Sequence, residues 1–275
     1  MTSATRRTAY RLSALVAVLM AVTAGLGLFS HDVYRDNALV AAGWYGNDLV
    51  TLLVATPLLM VALAGAWRGS KRATLVWLGL LAYVVYNYAF YLFGAAFNSL
   101  FLLYVALFTL SGAALIFGLA ALDARSFYAQ VSDALPTGRI TAFLAGVGGS
   151  LGGFYVLQSL RYLETGEVPA LVAATGLHTH LIAALDLSMV VPVALLGAVW
   201  LWRGEPWGYV LAVIWSVKGT VYMMALVAAT LSGLWVGPSG AWELIPLWGA
   251  IGVGCGVASR VLLSHLRPGR TPRRG

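Results

Sequence analysis

Apolar runs of about 20 residues recur along the whole chain, separated only by short polar connections. Wound as a helix at about 1.5 Å per residue, a run of that length crosses the hydrocarbon of a bilayer. The runs are continuous rather than alternating, which argues against the strands of a membrane barrel. Of the 275 residues, 60% are hydrophobic and 10% charged, against about 25% charged in a soluble domain. The chain reads as an all-α membrane protein.

The spans fall at about 10–29, 48–67, 73–93, 99–120, 140–160, 174–201, 208–231 and 243–263, a bundle of eight transmembrane helices. One helical domain over residues 1–264 is expected, followed by a basic tail, residues 265–275, expected to be disordered. Arg6 and Arg7 precede the first run as they would in a secretory signal. That run is long for a signal and no small-residue cleavage site follows it, so it reads as a retained helix.

The net charge of +7 is spread over short loops and the two ends, which is a topology signal and not a nucleic-acid surface. With the N-terminus in the cytoplasm, fourteen arginines and lysines fall on the cytoplasmic side and two, Arg35 and Arg161, on the other. The positive-inside rule then places both termini in the cytoplasm and the protein in the cell inner membrane. Tryptophans 67, 77, 200, 202 and 207 cluster near one interface, and 44, 235 and 242 near the other, as membrane-edge indoles do. The arginine-rich tail is expected to meet anionic lipid headgroups, at about 1 kcal/mol per charge. The single cysteine, Cys255, lies among glycines and reads as a packing residue.

Two stretches resemble each other. Pro57 is followed ten residues on by Trp67, Arg68 and Gly69, and Pro192 ten residues on by Trp202, Arg203 and Gly204, an offset of 135. Helices one to four and five to eight would then be parallel copies, as in several transporter folds. The alternative is that both Trp-Arg-Gly groups are membrane-edge anchors. The offset sets Tyr83 against Lys218. Gly148 with Gly152, Gly149 with Gly153, and Gly252 with Gly256 are expected at close helix contacts.

Lys218 stands alone in the apolar stretch 206–231. A charge at mid-membrane costs about 2.5–3.5 kcal/mol on insertion scales and marks a site when a partner can be named. Asp186, the one carboxylate inside the preceding helix, is that partner at nearly compatible depth. The pair could fix helix register, relay a proton or bind a solute. Tyr222 lies one turn beyond Lys218. On helix three, Tyr83, Asn87 and Tyr91 share one face at i,i+4 spacing; Tyr104 and Tyr222 are candidate partners for Asn87. His178 falls on the face of Asp186 and would extend a polar path outward. His178 and His180 are too close in sequence to chelate as i,i+4 histidines do, so no zinc site is expected. No cofactor is implied. Pro57, Pro192 and Pro246 are expected to kink helices two, six and eight.

The runs YNYAFYLFGAAFNSLFLLYVALF (86–108), ALDLSMVVPVALL (184–196) and PWGYVLAVIWSVKG (206–219) resemble an uncharacterised group of bacterial polytopic membrane proteins. That resemblance implies a shared helix pattern and nothing about substrate.

Four functions compete. A small-solute or proton-coupled transporter uses mid-membrane charge beside proline-broken helices. An integral-membrane enzyme on a lipid or small apolar substrate would use Lys218 as base or nucleophile, but no Ser/His/Asp set, zinc signature or acidic metal cluster accompanies it. A light-sensing receptor would carry a chromophore on Lys218, against the helix number. An accessory subunit needs no pocket.

Overall fold

The protein is described by a computed structural model covering residues 3–30, 32–236 and 241–267. Among the described residues there are eight helices long and apolar enough to cross a membrane, and the chain is a multi-pass membrane protein. They are α1 (Ser3–Phe29), α2 (Ala38–Trp67), α3 (Lys71–Gly94), α4 (Phe101–Ala120), α5 (Thr137–Thr165), α6 (Leu181–Trp202), α7 (Pro206–Gly233) and α8 (Ile245–Ser264). Alternate helices run in opposite directions, so the start of α1 and the end of α8 share one face of the bundle. The rim opposite is called the distal face below.

Three spans start well away from the sequence reading, the first at Ser3 and not at residue 10. The second helix begins at Ala38 and not near residue 48, because Asn37 caps it by accepting from the Val40 amide at 3.0 Å. This carries Asp48 from the expected interface to the third turn inside. The sixth helix begins at Leu181 and not at 174. Gly176 takes a left-handed φ of +67° and ends the short helix Ala170–Thr175, and the segment 177–180 is non-helical.

Neither Pro57 nor Pro192 produces a simple kink. Each follows a five-residue π-helical segment, Thr51–Ala55 in α2 and Asp186–Val190 in α6. Proline lacks the amide that would continue the ladder. The widened turn just before it shifts the pairing, with the Thr56 amide on the Thr51 carbonyl and the Val191 amide on the Asp186 carbonyl. Pro246 lies in the first turn of α8, where the missing amide removes no bond, and so breaks nothing.

The halves of the chain repeat in element order. The two π segments stand 135 residues apart, as do the Trp-Arg-Gly turns, where Gly69 and Gly204 close α2 and α6 at φ of +86° and +73°. Only glycine adopts that conformation cheaply. The Trp-Arg-Gly likeness thus has a backbone cause besides anchoring. α3 packs on α4 as α7 packs on α8, and the end of α2 meets α3 as the end of α6 meets α7. The repeat is imperfect: α1 packs broadly on α4, whereas α5 barely touches α8. At the centre α3 lies against α7, and these are the two most enclosed helices.

Gly148 and Gly152 face Ala194 and Val191 of α6, and Gly252 and Gly256 face Met223 and Thr220 of α7. Gly149 and Gly153, expected at a second contact, have nothing within 4 Å. Trp77 and Trp44 are both buried: Trp77 donates inward to Ser13 Oγ at 2.9 Å, while Trp44 donates to Asp36 Oδ2 in the loop before α2 at 3.0 Å and so stays near the distal edge. Trp67, Trp202 and Trp235 are exposed at helix ends, while the Trp242 side chain lies outside the described residues. The first three residues of the expected tail are tied down and not free. The His265 carbonyl accepts from Ser132, the Arg267 amide donates to the Gln130 carbonyl, and Arg72 donates to the Leu266 carbonyl at 2.7 Å. Residues 268–275, which carry Arg270, Arg273 and Arg274, lie outside the described residues.

Candidate functional site

The first residue of the π segment in α6 is Asp186, 5% exposed, and Lys218 of α7 is 7% exposed. They do not form the expected ion pair. Among the described residues the one salt bridge is Arg161–Glu167 on the surface. Two tyrosines instead hold the carboxylate. Tyr86 of α3 donates to Oδ1 at 2.7 Å and Tyr155 of α5 donates to Oδ2 at 3.0 Å. The Lys218 ammonium lies over two ring faces, 3.7 Å from the Tyr86 centroid and 4.4 Å from that of Tyr222. Desolvated cation–π contacts of this kind contribute about 2 kcal/mol or more. The two rings meet edge to face at 4.7 Å, with their hydroxyls 3.4 Å apart. Side chains from α3, α5, α6 and α7 thus converge on one buried charge pair.

His180, not His178, borders this centre. The break at 177–180 removes the helical register that set His178 on the face of Asp186, and His178 is exposed. His180 caps α6 through Nδ1, receiving the Ala183 amide at 3.3 Å, while Nε2 lies 3.1 Å from Gln158 Oε1. Its ring stands edge to face against Tyr155 at 5.3 Å. Burial holds its pKa below the usual 6.5, with a smaller opposing pull from the Asp186 charge. Gln158, His180, Tyr155 and Asp186 form a string from the distal face inward.

Tyr83, Asn87 and Tyr91 do share a face, but it looks towards α2 and away from Lys218. Tyr83 Oη lies 3.1 Å from Thr51 Oγ1, Asn87 Oδ1 accepts from Asn47 at 2.8 Å, and Tyr91 donates to Asp48 Oδ1 at 2.8 Å. The partner of Asn87 is therefore Asn47, and neither Tyr104 nor Tyr222. Asp48, 2% exposed, also accepts from Tyr34 in the loop before α2. Burial, then the Asp48 charge, hold the Tyr34 phenol far above its ordinary range, so it keeps its proton as donor. The hydroxyls of Tyr88 and Tyr104 are buried beside this group without a hydrogen-bond partner.

Both buried carboxylates are thus held by two phenols, one in each half of the chain. At the offset of 135, Thr51 corresponds to Asp186 and Tyr83 to Lys218. The Thr51–Tyr83 contact is the uncharged counterpart of the charged centre, beside the matching π segment. The Asp48 group has no such counterpart, since position 183 is alanine.

Two surface clefts are open. One of 390 Å³ at the distal face includes Arg35, Asn98 and Ser99, and one of 510 Å³ between α2 and the end of α7 is apolar. Neither is lined by Lys218, Asp186 or Asp48. Lys218 and Asp186 are buried, and Tyr222 beside them is half-buried. Among the described residues no group of three or more His, Cys, Asp or Glu could hold a metal ion. No protein-family model, curated protein or solved structure matches the chain.

Proposed function

We propose that the chain is a proton-coupled carrier of a small solute in the cell inner membrane, with both termini in the cytoplasm. The observation that carries this reading is the Asp186–Lys218 centre. Two buried charges stand between four helices, beside a π segment, without neutralising each other directly. A register-fixing bridge would put the ammonium on the carboxylate, because only close pairing repays desolvation. Here the carboxylate is held by removable phenol bonds and the ammonium by ring faces. The carboxylate can take a proton and the ammonium an anionic ligand without first breaking an ion pair.

The parallel repeat adds support. Carriers built from such repeats move one half against the other around a fixed mid-membrane site. Lys218 and Asp186 occupy that position, and the π segments offer local give where a regular helix would be stiff. The string Gln158–His180–Tyr155 leads from the distal face to Asp186 and suits proton entry from outside. The inside-out charge count supports the orientation.

The test is reconstitution into vesicles that enclose a pH-reporting dye. A panel of small acids, amines, amino acids and sugars is added outside. The wild-type protein is expected to shift the luminal pH with at least one of them, and Asp186→Asn to insert normally without that shift. If no solute moves protons through the wild-type protein, the carrier reading is wrong.

A further inference from the structure

Hydrogen-bond accounting at the centre leaves strong donors unengaged. Both oxygens of Asp186 already accept phenol protons. Lys218 makes no hydrogen bond with any described residue; its ammonium lies on two ring faces, with the Asp186 carboxylate and the Cys255 thiol nearby. An ammonium has three donors and no acceptor. Tyr86 commits its single proton to Asp186 at 2.7 Å, so the proton of Tyr222, whose oxygen lies 3.4 Å from that of Tyr86, is free to turn to a ligand. The unengaged donors are those of Lys218 and Tyr222, while each Asp186 oxygen already holds one phenol proton.

We propose that the carried solute is a small monovalent oxyanion of the carboxylate type. Its oxygens accept from Lys218 Nζ and Tyr222 Oη, and it travels with the proton that Asp186 takes up. This rests on the carrier reading above and names its substrate class. Charge balance favours the same answer. The empty site holds Lys218 positive and Asp186 negative. The loaded site holds Lys218 positive, the anion negative and Asp186 neutral. Both sum to zero, so neither the empty nor the loaded centre moves net charge through low dielectric. A cationic solute beside charged Lys218 and Asp186 would leave an excess of one positive charge.

The experiment uses the full chain in vesicles under an inward proton gradient. Labelled methanesulfonate, lactate and pyruvate are supplied in separate arms, and methylammonium and glucose are the contrasts. Methanesulfonate is included because it stays ionised and does not leak through lipid as a neutral acid. Accumulation of at least one oxyanion is expected. Tyr222→Phe is expected to raise its KM at least about tenfold, the smallest effect of losing a charge-assisted hydrogen bond. Lys218→Met is expected to abolish uptake, and Lys218→Arg to restore part of it. Monodisperse elution of each variant confirms folding. Should Lys218→Met not fold, the Tyr222→Phe shift in KM decides. Oxyanion uptake unchanged in Lys218→Met or Tyr222→Phe overturns the assignment. Uptake of methylammonium or glucose without any oxyanion overturns the anion class and leaves the carrier standing. Uptake of nothing in the panel overturns the anion class, and the dye assay with the wider panel then decides the carrier reading separately.

Discussion

Lys218 and Asp186 are joined through Tyr86, whose ring face lies 3.7 Å from the ammonium while its hydroxyl donates to the carboxylate at 2.7 Å. One side chain serves both charges with different parts of its surface. The negative ring face attracts the cation and the polarised O–H meets the anion. Tyr222 and Tyr155 complete the arrangement, one on each side. The two charges therefore have separable supports, and single substitutions can address each alone.

Lys218→Met is expected to lower thermal stability by no more than the lost ring contacts, about 2 kcal/mol. Removing one partner of a buried ion pair costs about 3–5 kcal/mol, because the other charge is stranded. Asp186 would not be stranded here, since both oxygens keep their phenols. Thermal unfolding of the detergent-solubilised protein measures this. A large drop in Tm would mean that the two charges pair directly.

Tyr86→Phe keeps the ring over Lys218 and removes only the hydroxyl. Asp186 then loses one of its two charge-assisted bonds, at a cost of about 1.5–3 kcal/mol. The expected result is a lower Tm than in Tyr222→Phe, whose hydroxyl bonds no charged group. Equal Tm values in the two variants would argue against the Tyr86–Asp186 bond.

The helices and the central charges were legible from sequence because hydrophobic runs and isolated buried charges leave one-dimensional marks. Lys218 and Tyr222 lie in contact as their spacing implied, whereas Asp186 reaches them only through Tyr86. Asp48 was missed because its depth depends on where α2 starts, and the Asn37 cap sits in a moderately apolar stretch that resembles a loop end. His178 was misplaced for a related reason, since periodicity cannot be carried across the break at Gly176. Tyr86 and Tyr155 gave no usable signal. Tyrosine is common in this chain, and which phenol reaches a carboxylate 100 or 31 residues away is decided by tertiary packing. The π segments were legible only as prolines at a fixed offset.

Acidification is expected to destabilise the protein through His180. Burial lowers its folded pKa below the usual 6.5. Above 6.5 the imidazole is neutral in folded and unfolded chains alike and contributes no pH dependence. Below 6.5 the unfolded chain binds the proton more readily, so stability falls until the lowered folded pKa is passed. His180→Gln should flatten the Tm profile across that window. An unaltered profile in this variant would place the titration elsewhere.

Two glycines one turn apart on α2 give a paired test of how closely α2 and α7 approach. A Cβ on Gly46 would collide with the backbone of Ala228 and Ala229 in α7, whereas a Cβ on Gly43 would meet only the Ala229 methyl at 3.9 Å. Backbone cannot rotate aside as a flexible side chain can. Gly46→Ala must push the helices apart, at about 1–3 kcal/mol or more, against the roughly 1 kcal/mol that alanine gains over glycine within a helix. Gly43→Ala keeps that gain without the collision. The displacement in Gly46→Ala would also shift Asn47 and Asp48 against α3, loosening the bonds to Asn87 and Tyr91. Thermal unfolding of both variants is therefore expected to diverge, with Gly43→Ala equal to or above wild type and Gly46→Ala well below it. Similar values for the two would mean that α2 and α7 are further apart than the Gly46 contact implies.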